Sequence, residues 1–241
     1  MKKVAIFVEG QAELILVREF LLRFFEYQNI RIECFTLLND NLDSAPYNHG
    51  DKDAANFYMI INVGNDNAVL SKIKSRAQGL CNSGFHKILG LRDIYGDKYK
   101  EKNNSQKTIN EELIEHFVRI NQEQINAMAC HEKIKFFFAV MEVEAWFLGF
   151  KDIFTGIDSR LTNEYIKSQL NYDLDKDDPE KTYYHPAKII GNIFQLVGKK
   201  YDKHESDVSS LIYPLTKDHY NELIESGKCS VFARFTEELL N

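Results

Sequence analysis

Six acidic residues stand out by where they fall relative to apolar runs. Glu9 closes the run Val4–Val8, is followed by Gly10, and has Glu13 one helical turn later in VEGQAE. Asp93 closes HKILGLRD, with Asp97 shortly after it, and Glu142 and Glu144 follow FFFAVM. In open α/β sheets the functional crevice lies outside the carboxyl ends of the strands. Strands that end in acids therefore bring carboxylates to one edge. Carboxylates so crowded cannot all ionise unless a cation compensates. Mg²⁺ takes oxygen ligands, needs one or two carboxylates per ion and keeps several waters. Two such ions about 3.5–4 Å apart clamp the attacking and leaving oxygens of a phosphodiester. The acids thus suggest metal-assisted phosphoryl chemistry over a glycosidase pair, which asks for an aromatic-lined sugar groove. Taken singly, Glu13 also reads as a first-turn acid favoured by the helix dipole, Glu144 as a solvent-facing residue and Asp97 as a turn residue.

Those positions need elements to carry them. Val4–Val8 is continuous rather than alternating, the pattern of a strand buried on both faces. A helix is predicted over Gln11–Tyr27, with Leu14, Val17, Leu21, Leu22 and Phe25 on its apolar face and Arg18, Glu19 and Arg23 away from it. Arg31–Leu38 alternates as a second strand, and 40–53, with Asn, Asp, Ser, Pro and Gly, reads as a loop. Phe57–Val63 is a third strand, followed by a helix over Ala68–Leu80 capped within Asn65–Asn67. HKILGLRD is a short buried strand, Thr108–Asn126 a helix and Ile134–Met141 a strand, with a helix carrying Trp146 after it. The alternation predicts an α/β core over 1–150, with a mostly parallel sheet flanked by helices. From 151 to 241, helices broken by DLDKDDPEK and YYHPAK predict a helical C-terminal region packed on that core.

The chain has 241 residues, 30 basic and 36 acidic, for a net charge of −6. That balance does not suggest a general polyanion binder, although bound metal ions and a local basic patch can reverse the field at a site. Basic stretches such as Lys98–Lys102 and Lys199–Lys203 are candidates for phosphate contacts, or simply solvated faces. No run approaches a membrane span, no signal peptide is evident, and the four cysteines lack zinc spacing, so a cytoplasmic, reduced protein is expected. P-loop, dinucleotide, nucleophile-elbow and HExxH motifs are missing.

Several blocks resemble one family. VEGQAE is similar to the VEGxTE opening of a TOPRIM-like group of formally unknown function. LRDIYGD resembles its strand-Asp-x-Tyr-Gly block, AVMEVEAWFLGFKDIF its HEFEALLF-type block, DDPEKTYYHPAKII its Pro-Glu…Pro-Ser-Lys segment, and CSVFARFTEEL its Cys-x-x-Phe-x-x-Trp ending. The order holds from residue 4 to about 239. The resemblance implies a TOPRIM-like (Rossmann-like) fold in which strand-end acids hold Mg²⁺ or Mn²⁺. It puts Glu9 in the place of the family's metal-linked acid/base, Glu13 as the second acid of the opening block, Asp93 as the first Asp of the metal motif, and Glu142 and Glu144 as the later pair. Asp97 stands in for a second Asp, since position 95 is Tyr. Lys188 matches a lysine suited to stabilising a phosphate oxyanion. Ala12, Met141 and Ala187 depart from the family's Thr, His and Ser.

The resemblance implies a metal-dependent nuclease acting on DNA or RNA, tRNA included, as the toxic effector of an anti-phage abortive-infection system. Its expected partner is an ATPase of SMC or OLD type, and a homodimer is compatible with it. The alternative is a non-catalytic assembly or sensor subunit of the same ATPase complex, favoured by Tyr95 and Ala12. A receiver-like phosphate module also clusters strand-end acids, but its acid spacing and the long C-terminal part match poorly.

Overall fold

The computed structural model describes residues 1–65 and 68–241. The chain divides into two compact units. One comprises 1–92 and 111–138, the other 93–110 and 139–241. The second unit therefore begins inside the stretch expected as the core. The segments after the fifth and sixth strands are tied to each other there. Ile94 N–H donates to Ala139 O at 3.0 Å, and Tyr95 N–H to Met141 O at 2.9 Å.

The fold is α/β, with a six-stranded, mostly parallel sheet in the order β3-β2-β4-β1-β5-β6. The strands are β1 (Lys2–Val8), β2 (Ile30–Leu38), β3 (Asn41–Ser44), β4 (Asn56–Asn62), β5 (Lys87–Asp93) and β6 (Ile134–Ala139). β1 is central and parallel to both neighbours, with Val8 opposite Asn62 on one side and Leu91 on the other. Val4 to Val8 are fully buried, which is why that run does not alternate.

Helices α1 (Gln11–Phe24), α2 (Val69–Asn82) and α4 (Glu111–Asn126) belong to the first unit. Ala5, Phe7, Met59, Ile61 and Ile88 share a cluster with Val69, Ile73 and Ala77 of α2. Tyr58, on the alternate set, meets Phe25 just past α1, with ring centroids 5.9 Å apart. Successive strand residues face opposite ways, so α1 and α2 cover opposite faces of the sheet.

Local differences from the sequence reading have local causes. The segment expected as a loop from residue 40 opens with β3, an antiparallel partner of β2 in which Leu38 faces Asn41. Asn39 and Asp40 both take positive φ, 48° and 65°, the geometry of a tight two-residue hairpin turn. Helix α1 stops at Phe24, because Glu26 and Tyr27 turn left-handed and Tyr27 N–H returns to Leu22 O at 2.9 Å. Glu19 is buried on α1, paired with Arg18 and, at 3.2 Å, with Arg23. The cap expected within Asn65–Asn67 falls partly on Asp66 and Asn67, which lie outside the described residues. The four cysteines are unbridged. Cys81, pushed up to about 11 by burial with Cys130 adding to the rise, lies near that residue despite their distance in sequence.

The second unit holds α3 (Asp97–Lys102), α5 (Glu144–Gly149), α6 (Asn163–Leu170), α7 (Pro179–Thr182), α8 (Pro186–Gln195), α9 (Glu205–Ile212), α10 (Lys217–Glu225) and α11 (Ser230–Leu240). Trp146 on α5 is fully buried against Phe232 and Phe235 of α11. Its indole N–H donates to Glu180 Oε1 at 2.8 Å. Glu180 also accepts from Val231 N–H at 3.0 Å and Phe232 N–H at 3.3 Å, satisfying the open N-terminus of α11. One buried carboxylate thus links α5, α7 and α11. No described helix is long and apolar enough to cross a membrane.

Glu180→Ala should cost about 3–5 kcal/mol in urea unfolding, because it strands buried donors from two helices. Glu180→Gln, which keeps an acceptor oxygen, should cost clearly less. Equal stability of the Ala variant and the wild type would show that this link is dispensable.

Candidate functional site

In the first unit, β1 and β4 lie side by side while the helices that follow them cover opposite faces. That arrangement opens a crevice at the strands' carboxyl ends. Glu9, half-buried, stands at this point. Gly10 precedes α1 with extended backbone and donates its N–H to Glu13 Oε2 at 3.0 Å. Glu13 is buried and thus caps the helix it belongs to. A Cβ on Gly10 would sit 3.2 Å from that same carboxylate oxygen, so glycine leaves it room. Across the crevice, Asn62 donates to Gln11 Oε1 at 3.4 Å and accepts from Gly64 N–H at 2.9 Å.

The second unit gathers three of the remaining acids. Asp93 Oδ1 accepts from Val143 N–H at 2.8 Å, which fixes the segment bearing Glu142 and Glu144. Met141, just before them, takes φ 62°, uncommon for a bulky residue. Glu142 Oε2 accepts from Ala187 N–H at 3.2 Å, in the first turn of α8. Glu144 opens α5 and is 1% exposed. Its Oε1 accepts from the Tyr201 hydroxyl at 3.1 Å, and its Oε2 is buried with no hydrogen-bond partner.

Between the two glutamates lies the Lys203 ammonium, 2.8 Å from Glu142 Oε1 and 3.1 Å from Glu144 Oε1. Burial pushes the Glu144 carboxyl up and Glu142 adds to the rise, while Lys203 opposes both. Burial works against the charge on Lys203, but Glu144 and Glu142 outweigh it and hold the lysine above its ordinary range. Burial, with Glu144 beside it, also pushes the Tyr201 phenol up, so it stays a donor. Lys203 itself takes φ 59°. Asp207 Oδ2 brackets it, accepting from Asp202 N–H at 2.9 Å and His204 N–H at 3.3 Å.

The structure thus brings Asp93, Glu142 and Glu144 into one unit, with Lys203 in contact with the two glutamates. Asp97 instead begins α3 fully exposed, 3.6 Å from Lys100. Lys188 is exposed on α8, and the lysine that touches the acids is Lys203. The sequence gives Tyr201 no role, and Lys203 only one in a basic run open to phosphate contacts. Lys203 lies in the run Lys199–Lys203, which reads equally as a solvated face, and its partners lie about 60 residues away. Among the described residues no group of three His, Cys, Asp or Glu side chains is gathered to hold a metal ion.

Fold and site together define an α/β protein with a mostly parallel, helix-flanked sheet and strand-end acids. Compared with known proteins, the chain matches no protein-family model, no curated protein and no solved structure.

Lys203→Met leaves Glu144 buried without its cation, and the carboxyl must then hold a proton to stay folded. Its folded pKa rises further above the unfolded value of about 4.3, so stability is present in acid and lost as pH rises. In EDTA, the stability gap between wild type and Lys203→Met should be small near pH 4. It should widen to about 1–3 kcal/mol by pH 7, discounted because Lys203 is partly exposed. A gap independent of pH would contradict this coupling.

Proposed function

We propose that this chain is a TOPRIM-like, metal-dependent nuclease that hydrolyses phosphodiesters of DNA or RNA. In this reading it is the toxic effector of an anti-phage abortive-infection system in the cytoplasm, working with an SMC- or OLD-type ATPase. The observation that carries the reading is Glu144, a buried carboxylate with one unpartnered oxygen, set beside Glu142 at the strand-end loop. A second acid-bearing crevice at the switch point, with Glu9, supports it.

Carboxylate oxygens are the donor type that a hard divalent cation takes, although the acids are not gathered closely enough for three of them to hold one as they stand. Asp93, Glu142 and Glu144 carry three negative charges when ionised, against one positive charge on Lys203. The remainder matches one divalent ion in this unit rather than two. Bound there, Mg²⁺ or Mn²⁺ would supply Lewis-acid stabilisation of the phosphoryl oxygens. The protein's own residues orient the acids: Val143 N–H holds Asp93, and Ala187 N–H holds Glu142. Lys203, paired with Glu142 and Glu144, would add positive charge for a phosphoryl oxygen bound beside them. Glu9 is the candidate acid/base by resemblance.

Lys203 also favours a second reading. Its ammonium already supplies a positive charge to both Glu142 and Glu144, as would suit a chain that keeps the fold as a non-catalytic assembly or sensor subunit of the same ATPase complex. To separate the two, the full chain is incubated with DNA, RNA and tRNA in Mg²⁺ or Mn²⁺, with and without its ATPase. Wild type should cleave, while Glu9→Gln, Asp93→Asn and Glu142→Gln should each lose about 100-fold or more. Wild type as inert as all three variants, with the ATPase present, would remove the nuclease reading.

A further inference from the structure

Beside Glu142 lies a group of rings that the acid chemistry does not use. Tyr95 follows β5, and Tyr184 and His185 form the short connection between α7 and α8. Tyr95 and Tyr184 meet edge to face at 5.6 Å, Tyr95 and His185 at 5.2 Å, and Tyr184 and His185 at 4.5 Å. All three are half-buried, so ring surface stays in reach of solvent. Both segments are tied to the acid-bearing loop. Tyr95 N–H donates to Met141 O at 2.9 Å, and Ala187 N–H donates to Glu142 Oε2 at 3.2 Å. The rings therefore stand at a set place next to Glu142.

Positive charge surrounds them. The Lys100 ammonium lies over the Tyr95 ring, 4.4 Å from its centroid, and 3.6 Å from Asp97. Lys107, Lys188 and Lys100 lie near enough to His185 to act on its charge, with Glu142 opposing them. Aromatic rings rimmed by lysines are what a single nucleic-acid strand requires: faces for its bases and cations for its phosphates. A duplex cannot use such rings, because its bases already stack on one another unless one is flipped out.

We propose that Tyr95, Tyr184 and His185 form a stacking platform for an unpaired nucleobase, with Lys100, Lys107 and Lys188 holding the adjoining phosphates. The substrate of the neighbouring acid site is then single-stranded, or unpaired at the scissile position. This rests on the nuclease reading for its chemistry but not for binding, which the platform performs without a metal ion.

The test measures binding of the full chain in EDTA by fluorescence anisotropy. The probes are a labelled mixed-sequence single strand, its duplex and an abasic strand of equal length, each as DNA, with the first two also as RNA. Wild type should bind the single strand at least about 10-fold tighter than the duplex or the abasic strand, since one stacked base contributes about 10- to 100-fold. Tyr95→Leu/Tyr184→Leu should lose about that factor for the single strand alone, whereas Tyr95→Phe/Tyr184→Phe stays within about twofold. If the Leu variant does not fold, the abasic comparison on wild type decides alone. Equal affinity for the abasic and ordinary strands, or tighter duplex binding, overturns the platform. Cleavage of duplex by a chain lacking single-strand preference would overturn it while leaving the nuclease reading intact. Single-strand binding without cleavage would do the reverse.

Discussion

The Lys203 ammonium between Glu142 and Glu144 is the contact on which the second unit's acid group depends. Two carboxylates so close, one of them fully buried, cannot both ionise without a positive charge beside them. A lysine is a point charge on a flexible stem, so its position has to be imposed by the backbone. Asp207 does this by bracketing the left-handed turn at Lys203, and Tyr201 from the same segment satisfies Glu144 Oε1. Asp93 and the Ala187 N–H fix the opposite side through Val143 and Glu142. The group is therefore preorganised by the chain itself, and among the described residues Glu144 Oε2 is buried without a hydrogen-bond partner.

In the first unit the controlling constraint is the burial of β1 on both faces. It places β1 between β4 and β5 and sends α1 and α2 to opposite sides of the sheet. The crevice at the carboxyl ends of β1 and β4 follows from that topology, not from any particular side chain there. Glu13 illustrates the difference between position and role. It stands one turn from Glu9, and one of its oxygens is already committed to the Gly10 N–H.

Much of the architecture was legible in the sequence because its signals are local. The unbroken run Val4–Val8, the alternation over Arg31–Leu38 and the apolar run Phe57–Val63 all become strands. The β3 hairpin was missed because loop composition outweighed the Asn39-Asp40 turn signal. The strand-end acids were visible as acids, but not their sorting. Asp97, a turn residue when read singly and a metal ligand only by resemblance, is carried into solvent at the start of α3. Lys203 lies in a basic run that reads as a phosphate contact or a solvated face, and its pairing with acids about 60 positions earlier has no local signature. The same holds for Glu180, whose role as a buried link between three helices depends on residues far from it in sequence.

The central claim is that Asp93, Glu142 and Glu144, balanced by Lys203, leave the charge of one divalent cation. Calorimetric titration of the full metal-free chain with Mn²⁺ tests it most directly. Binding of one ion that is lost in both Glu142→Gln and Asp93→Asn is the predicted result. No binding by wild type, or binding unchanged in both variants, would contradict it.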